Sequence, residues 1–157
     1  PRLKLSAPSR IVMISGNTHR RAKMYWDDLE LRENYSVLKA GSQAALAKVL
    51  WTFAIARELE GTGVTANTFC PAFVQSGLLR DFPKWAAPVV RVAHRFAQTP
   101  KDGARTPVWL ATDEELSAMT GRFCRHSQVQ PSATKVTSVE DQDRLLSAVR
   151  GRLSLGF

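Results

Sequence analysis

Apolar and polar positions alternate along the chain in blocks that predict its elements. "RIVMIS", Arg10 to Ser15, is a short apolar run, β-branched at Ile11, Val12 and Ile14. It follows the turn-like "SAPS" and ends at Gly16-Asn17, so it reads as a buried strand. A polar loop from Asn17 to Asn34 comes next. From Tyr35 to Glu60, Leu38, Ala45, Leu46, Val49, Leu50, Phe53, Ile55, Ala56 and Leu59 recur mostly at three- and four-residue steps. That spacing predicts an amphipathic helix, and "GTG", Gly61 to Gly63, stops it. "VTANTFCP", Val64 to Pro71, predicts a second buried strand ended by its proline.

The stretch from Ala72 to Gln98 is rich in large apolar residues but broken by Pro83 and Pro88. It is expected to be a loop with short helices, mobile or facing a ligand. "TPKD" then opens a helix running to about Ala111. Thr99 is its N-cap, Pro100 its first residue, and Asp102 is placed to reach back from the third. "TGRFC", Thr120 to Cys124, predicts a third strand. A last helix is expected from Val139 to Leu153, capped by Ser138, with Leu145, Leu146 and Val149 on one face.

Strands separated by helical crossovers imply a parallel sheet with right-handed connections. The expected fold class is therefore α/β, a partial Rossmann-like (doubly wound) fold with a three-stranded parallel sheet and flanking helices. The 157 residues form a single domain, 1–157. A hydrophobic share of 44% and a charged share of 23% suit a globular chain with an ordinary core. No run approaches about 18 uninterrupted apolar residues, so no membrane span is expected.

The two cysteines, Cys70 and Cys124, match no metal spacing and read as buried thiols of a reducing compartment, here taken as the cytoplasm. His19, His94 and His126 are too scattered to predict a metal site. The formal net charge is +8, and Arg2, Lys4, Arg10, Arg20, Arg21 and Lys23 fall in the first 23 residues with no acid among them. Such a patch could draw an acidic partner or a phosphorylated cofactor. Nucleic acid is not the expected partner, because no recognition helix or stacking-aromatic motif accompanies the charge.

Several blocks, in order and at matching separations, resemble one family. They are "SAPSRIVMIS", a loop containing "DDL", "YSVLKAGSQAALAKVLWTFAIARELEGTGVTANTFCPAFVQSGL" and "TPKDGARTPVWLATDEELSAMTGRF". Together they resemble the C-terminal half of a short-chain dehydrogenase/reductase of the retinol-dehydrogenase-like branch. The resemblance implies NAD or NADP as cofactor, held at a Gly-rich turn in the first half of the fold. No such turn occurs here; Gly61 and Gly63 follow a helix rather than a strand. Binding of NAD or NADP by this chain alone is therefore not expected.

The resemblance also implies three catalytic groups: a serine just past the strand, and a tyrosine and a lysine one turn apart on the next helix. Tyr35-x-x-x-Lys39 has the right spelling. The flanking text gives a different register. In the family the lysine is followed at once by Leu-Ala-x-Val-Leu, and here "LAKVL" begins at Leu46. The lysine position is then Ala45, the tyrosine position Gly41 and the serine position Gly16, with Ser15 beside it. Tyr35 and Lys39 lie six residues too early, which on a helix is a rotation of about 240° and a rise of ~9 Å. Errors of ~1 Å already harm proton transfer. Tyr35 and Lys39 are read as a look-alike pair, a helix-start aromatic on the core and a solvated lysine. The family's Pro-Gly, whose missing Cβ lets the backbone approach the nicotinamide, reads Pro71-Ala72 here. Ser76 matches the serine that meets the carboxamide, and as a residue of this type it would serve equally well as a helix N-cap.

The expected function is that of a short-chain dehydrogenase/reductase-like protein without the catalytic Ser, Tyr and Lys, a truncated or pseudoenzyme form acting through contacts. The strand Arg10–Ser15 would have no neighbour on its outer side, and an open apolar edge invites a homo-oligomer or a complementing polypeptide. The alternative is an NAD(P)-dependent oxidoreductase of alcohols or carbonyls that uses the displaced Tyr35 and Lys39 with a first half supplied in trans. A basic binding module acting through Arg2 to Lys23 is a third class.

Overall fold

The computed structural model describes residues 2–75, 91 and 95–153. Its centre is strand β2 (Val64–Phe69), all six residues of which are buried. Half of "VTANTF" is polar, and hydrogen bonds make its burial possible: the Asn67 amide donates to the Met119 carbonyl and accepts the Arg122 N–H, and the Thr68 hydroxyl donates to the Met13 carbonyl. On one side β2 pairs in parallel with β1 (Ser9–Ile14), in the register Ser9 with Val64 to Ile14 with Phe69. On the other it pairs in parallel with β3 (Phe123–Arg125), Thr68 opposite Phe123.

The three expected parallel strands are thus present. A fourth, β4 (Gln128–Gln130), adds to them as an antiparallel hairpin partner of β3. The sheet order is β1-β2-β3-β4. The hairpin turns on His126 and Ser127, both with positive φ, at 54° and 52°. Two left-handed residues in succession suit the twist of a hairpin, but they are usually Asn and Gly. Their unusual identity hid β4 in the sequence.

Helix α1 (Arg2–Leu5) is a single turn ahead of β1. Helix α2 (Val37–Glu58) is capped by Ser36, whose hydroxyl oxygen accepts the Lys39 N–H at 3.2 Å. It ends where Gly61 and Gly63 adopt φ of 75° and 73°, a conformation a side chain would disfavour. Helix α3 (Pro100–Thr112) begins as expected, with the Thr99 hydroxyl oxygen accepting the Asp102 N–H. Asp102 reaches back to the Thr99 hydroxyl at 2.7 Å rather than to its main chain. Helix α4 (Val139–Leu153) is capped by Ser138, which accepts the Asp141 N–H at 3.2 Å.

Alternation along β1 divides the core. Ile11 and Met13 face α2, against Trp51. Val12 faces the other way, onto a cluster of Phe69, Leu110 and Cys124 beneath α3. Leu46, Val49 and Leu50 of α2 pack with Phe123, Val136 and Leu145. Each such side chain contributes roughly 1.5–3 kcal/mol by leaving water. Helix α4 lies across α2, tied at its rim by Arg57 to Asp143 and by Arg150 to Glu58 at 2.7 Å.

The chain's expected loop from Ala72 to Gln98 falls largely outside the described residues. At its two ends Val74 and Gln98 form a parallel bridge.

Candidate functional site

The site lies where β1 ends and α2 passes over it. Ser15 continues the ladder, its N–H donating to the Phe69 carbonyl at 2.8 Å. Its hydroxyl donates to the carbonyl of Ala45 at 2.8 Å. Gly16 follows in extended conformation, φ −145° and ψ 155°. A Cβ there would sit 3.7 Å from the Ala45 Cβ and 3.5 Å from the Thr18 hydroxyl oxygen, ordinary contacts. Gly16 and Ala45, two residues far apart in sequence, therefore face each other. Ala45 is buried, whereas Gly41, one turn earlier, is exposed, with nothing within 4 Å of where a Cβ would stand. The three positions line one path from the strand end along the helix, and none bears a group that can give or take a proton.

Tyr35 and Lys39 are elsewhere. The helix was expected to begin at Tyr35, but Ser36 takes the cap and helical residues begin at Val37. Asn34, at φ 52°, turns the chain just before it. Tyr35 is left outside the helix and 65% exposed, not on the core as expected. The Lys39 ammonium donates to the Asn34 carbonyl at 3.2 Å and lies 5.9 Å from the centre of the Tyr25 ring. One residue of the pair is helical and the other is not, so the four-residue spacing does not place them on one helical face.

Pro71 follows β2, and Ala72 carries φ 61°. The backbone at this position keeps the left-handed conformation that glycine holds without strain, although the residue has a Cβ. Ser76 lies outside the described residues.

Two side chains that the sequence did not single out organise the site's floor. His19 is fully buried behind Gly16, its ring 4.4 Å from that of Phe123. Its Nδ1 lies 2.8 Å from the Gly16 carbonyl oxygen, which can only accept, so Nδ1 carries the proton and Nε2 is the bare nitrogen. Among the described residues no hydrogen-bond partner meets Nε2. Burial, aided by the Arg20 and Lys135 cations and opposed by the Gly16 bond, holds the His19 pKa below the ordinary histidine value. Gln43 is also buried. It accepts the Tyr25 N–H at 2.8 Å and donates to the Leu29 carbonyl at 2.9 Å, pinning the loop to α2. Both side chains point inward and hold the backbone. A glutamine at a helical position whose neighbours are small gives no warning of this in sequence.

Among the described residues no group of acids, histidines and cysteines could hold a metal, and no helix is long and apolar enough to cross a membrane. Cys70 and Cys124 are free and buried, and burial pushes the Cys124 thiol up to about 11. The left-handed glycines Gly61, Gly63 and Gly121 all precede strands. A dinucleotide pyrophosphate needs the opposite order, a glycine turn leaving a strand and opening a helix. The described residues of this chain do not fit that part of the cofactor.

No family model matches the chain. Individual proteins do. Human retinol dehydrogenase 14 is 36% identical over 137 residues, covering 83% of this chain and 41% of that protein. Bovine dehydrogenase/reductase SDR family member 13 is 38% identical over 140 residues, covering 85% and 37%. Among solved structures, an uncharacterised Mycobacterium paratuberculosis protein superposes with a TM-score of 0.67 at 21% identity, over 91% of this chain and 49% of that one. A Beutenbergia cavernae protein described as a putative NAD(P)-dependent gluconate 5-dehydrogenase, solved with NADP bound at low occupancy, gives 0.52 at 24% identity, over 79% and 46%. The chain spans about two-fifths of the length of the curated relatives it matches. By sequence the chain is a relative of the retinol dehydrogenases in the short-chain dehydrogenase/reductase family, and its open α/β sheet is the Rossmann-like fold of that family's structures.

Proposed function

We propose that this chain is a non-catalytic relative of the short-chain dehydrogenases/reductases that acts through contacts with other polypeptides. One observation carries the reading. Gly16 and Ala45 face each other at the strand end, and the register of the flanking sequence reads Gly16, Gly41 and Ala45 at the places of the family's serine, tyrosine and lysine. Of the hydroxyls described near Gly16, that of Ser15 donates its proton to the Ala45 main-chain carbonyl. Acid–base catalysis needs a titrating group within hydrogen-bond reach of the reacting atom. His19, the histidine described at the strand end, is buried behind the backbone. NAD and NADP are the relatives' chemistry and are not expected to bind this chain by itself. The free thiols Cys70 and Cys124 support a reducing compartment such as the cytoplasm.

The test is a calorimetric titration of the folded chain with NADH and NADPH, followed by an assay for oxidation of retinol with NAD or NADP. Neither heat of binding nor turnover above buffer is expected. Turnover that Tyr35→Phe and Lys39→Ala both abolish would overturn the reading and establish the displaced pair as a working one.

A further inference from the structure

A pocket of about 340 Å³ opens where α2, α4 and the loop ahead of α2 meet. Ala40 and Ala44 supply its helix wall. They precede Gly41 and Ala45 by one residue each, about 100° round the helix axis, so the pocket lies on a different face of α2 from those two positions. Leu29 and Leu31 line it from the loop, and Ala148 and Val149 from α4. No residue of β1, or of the chain before it, takes part.

The loop wall is held in one shape. Leu31 is buried and adopts φ 51°, a backbone that a bulky residue takes only under constraint. Asp28 supplies the constraint. Its main-chain carbonyl accepts the Leu31 N–H at 2.9 Å, and its carboxylate accepts the N–H groups of Arg32 at 2.8 Å and Glu33 at 2.9 Å. From α2, Gln43 pins the same loop at Tyr25 and Leu29. The pocket is therefore formed before a ligand arrives, which spares the ligand the cost of ordering it.

Charge at the rim selects the ligand. Glu30 of the loop pairs with Arg152 of α4 at 2.8 Å, and both line the pocket. Arg32 approaches the other oxygen of the Glu30 carboxylate at 3.8 Å. Two guanidinium groups thus share one carboxylate, which leaves a place for a second anion. All three side chains are well exposed, and ion pairs in such surroundings are weak. Arg152 can turn to an incoming carboxylate while Glu30 keeps Arg32, and no charge is left alone. Deeper in, Gln43 has both its oxygen and its nitrogen engaged, and the other described lining residues are apolar. The volume is at the low end of small-molecule pockets, roughly 300–1,000 Å³. One turn of a protein helix, roughly 10 Å across and 5.4 Å tall, already exceeds it.

We propose that this pocket binds a medium-chain carboxylate, with its alkyl chain along Ala40, Ala44 and Val149 and its head on Arg152. The net charge of +8 draws an anion toward the chain in preference to a neutral ligand. The proposal is independent of the non-catalytic reading, since it uses another face of α2.

The experiment titrates decanoate into the full chain by calorimetry, with decanol and acetate as comparisons. Decanoate is expected to bind one to one at micromolar strength. Decanol, which lacks the charge, is expected to bind about tenfold more weakly. Acetate, which lacks the chain, is expected to give no measurable heat. Arg152→Gln should bring decanoate down to the affinity of decanol. Ala44→Leu fills the pocket from an exposed helical position where leucine is almost as good a helix former as alanine. It should weaken decanoate and decanol alike by about tenfold or more, with circular dichroism unchanged. Glu30→Gln releases Arg152 and should tighten decanoate, a gain that misfolding cannot imitate. Absence of decanoate binding, equal affinity for decanol, measurable binding of acetate, or indifference to both Ala44→Leu and Arg152→Gln would each overturn the proposal. A dimer of the chain that Ala44→Leu dissolves would assign the pocket to a second copy and overturn it as well.

Discussion

The Ser15 hydroxyl donates to the main-chain carbonyl of Ala45 across 2.8 Å, joining the end of β1 to the middle of α2. A carbonyl inside a helix already accepts from the helix's own ladder, so the serine uses its second lone pair. The bond fixes how far α2 stands from the strand end, and so fixes Gly16 against Ala45. Ser15→Ala removes it and leaves no unpaired donor. A loss of about 1 kcal/mol is expected, the ordinary worth of a hydrogen bond. Urea unfolding of the two proteins measures it as a shift in midpoint at constant slope.

Ala72 holds φ 61° just after Pro71. The left-handed region costs a residue with a Cβ roughly 1 kcal/mol or more, and costs glycine almost nothing. Ala72→Gly is therefore expected to stabilise the chain, the reverse of the usual effect of glycine, because relief of native strain exceeds the added freedom of the unfolded chain. Thermal unfolding should show a rise in Tm. A fall would mean that the conformation at this position is not left-handed in solution.

His19 makes stability depend on pH with a definite sign. Its pKa is depressed in the folded protein by burial first of all, below the ordinary 6.5. The unfolded chain thus takes up the proton before the folded one does. The stabilisation is complete above pH 6.5 and is lost as pH falls through that value toward the folded pKa. His19→Phe keeps an aromatic ring beside Phe123 but cannot titrate. Comparing the two proteins by urea unfolding between about pH 7.5 and about pH 5.5 isolates the term from other histidines. The wild type should weaken more steeply than the variant as pH falls.

The strands and helices around the site were legible because each is strongly marked. Thr99-Pro100 and Ser138 announce helix starts, Gly61 and Gly63 a helix stop, and "VTANTF" is a short β-branched run bounded by that stop and by Pro71. What was not legible depends on local competition or on contacts distant in sequence. Ser36 and Tyr35 are adjacent, and periodicity could not choose between them for the helix start; the Ser36 hydroxyl, by capping Lys39, decided it. Strand β4 turns on His126 and Ser127, whose left-handed backbone no composition rule would assign. The contact of Gly16 with Ala45 was foreseeable only as a register within a family, since nothing in either glycine or alanine marks a site.

Gly103 approaches the loop after β2 closely. A Cβ there would lie 2.6 Å from Val74 Cγ2 and 3.2 Å from Cγ1. Valine is stiff about its first side-chain torsion, so it cannot turn both methyl groups away. Gly103→Ala improves helix propensity, yet overpacking of this kind costs about 1–3 kcal/mol and should win. Gly103→Ala with Val74→Ala should recover most of the loss, as a double-mutant cycle by urea unfolding would show.

Gly16 and Gly41 give the opposite expectation. At Gly16 a Cβ meets only ordinary contacts, and at Gly41 it meets nothing. Gly16 is extended, a conformation any residue adopts, and Gly41 sits in the interior of a helix. Gly41→Ala should stabilise by roughly 0.5–1 kcal/mol through helix propensity and the unfolded chain's lost freedom. Gly16→Ser should be accommodated within about 1 kcal/mol in either direction, the gain in chain stiffness opposing the cost of setting a hydroxyl near the Thr18 oxygen. If both variants fold as stably as the wild type or better, stability does not require glycine at these two positions, and nothing in packing prevents side chains there. A large loss at either would instead make that glycine a structural necessity, and its place in the non-catalytic reading would have to be given up.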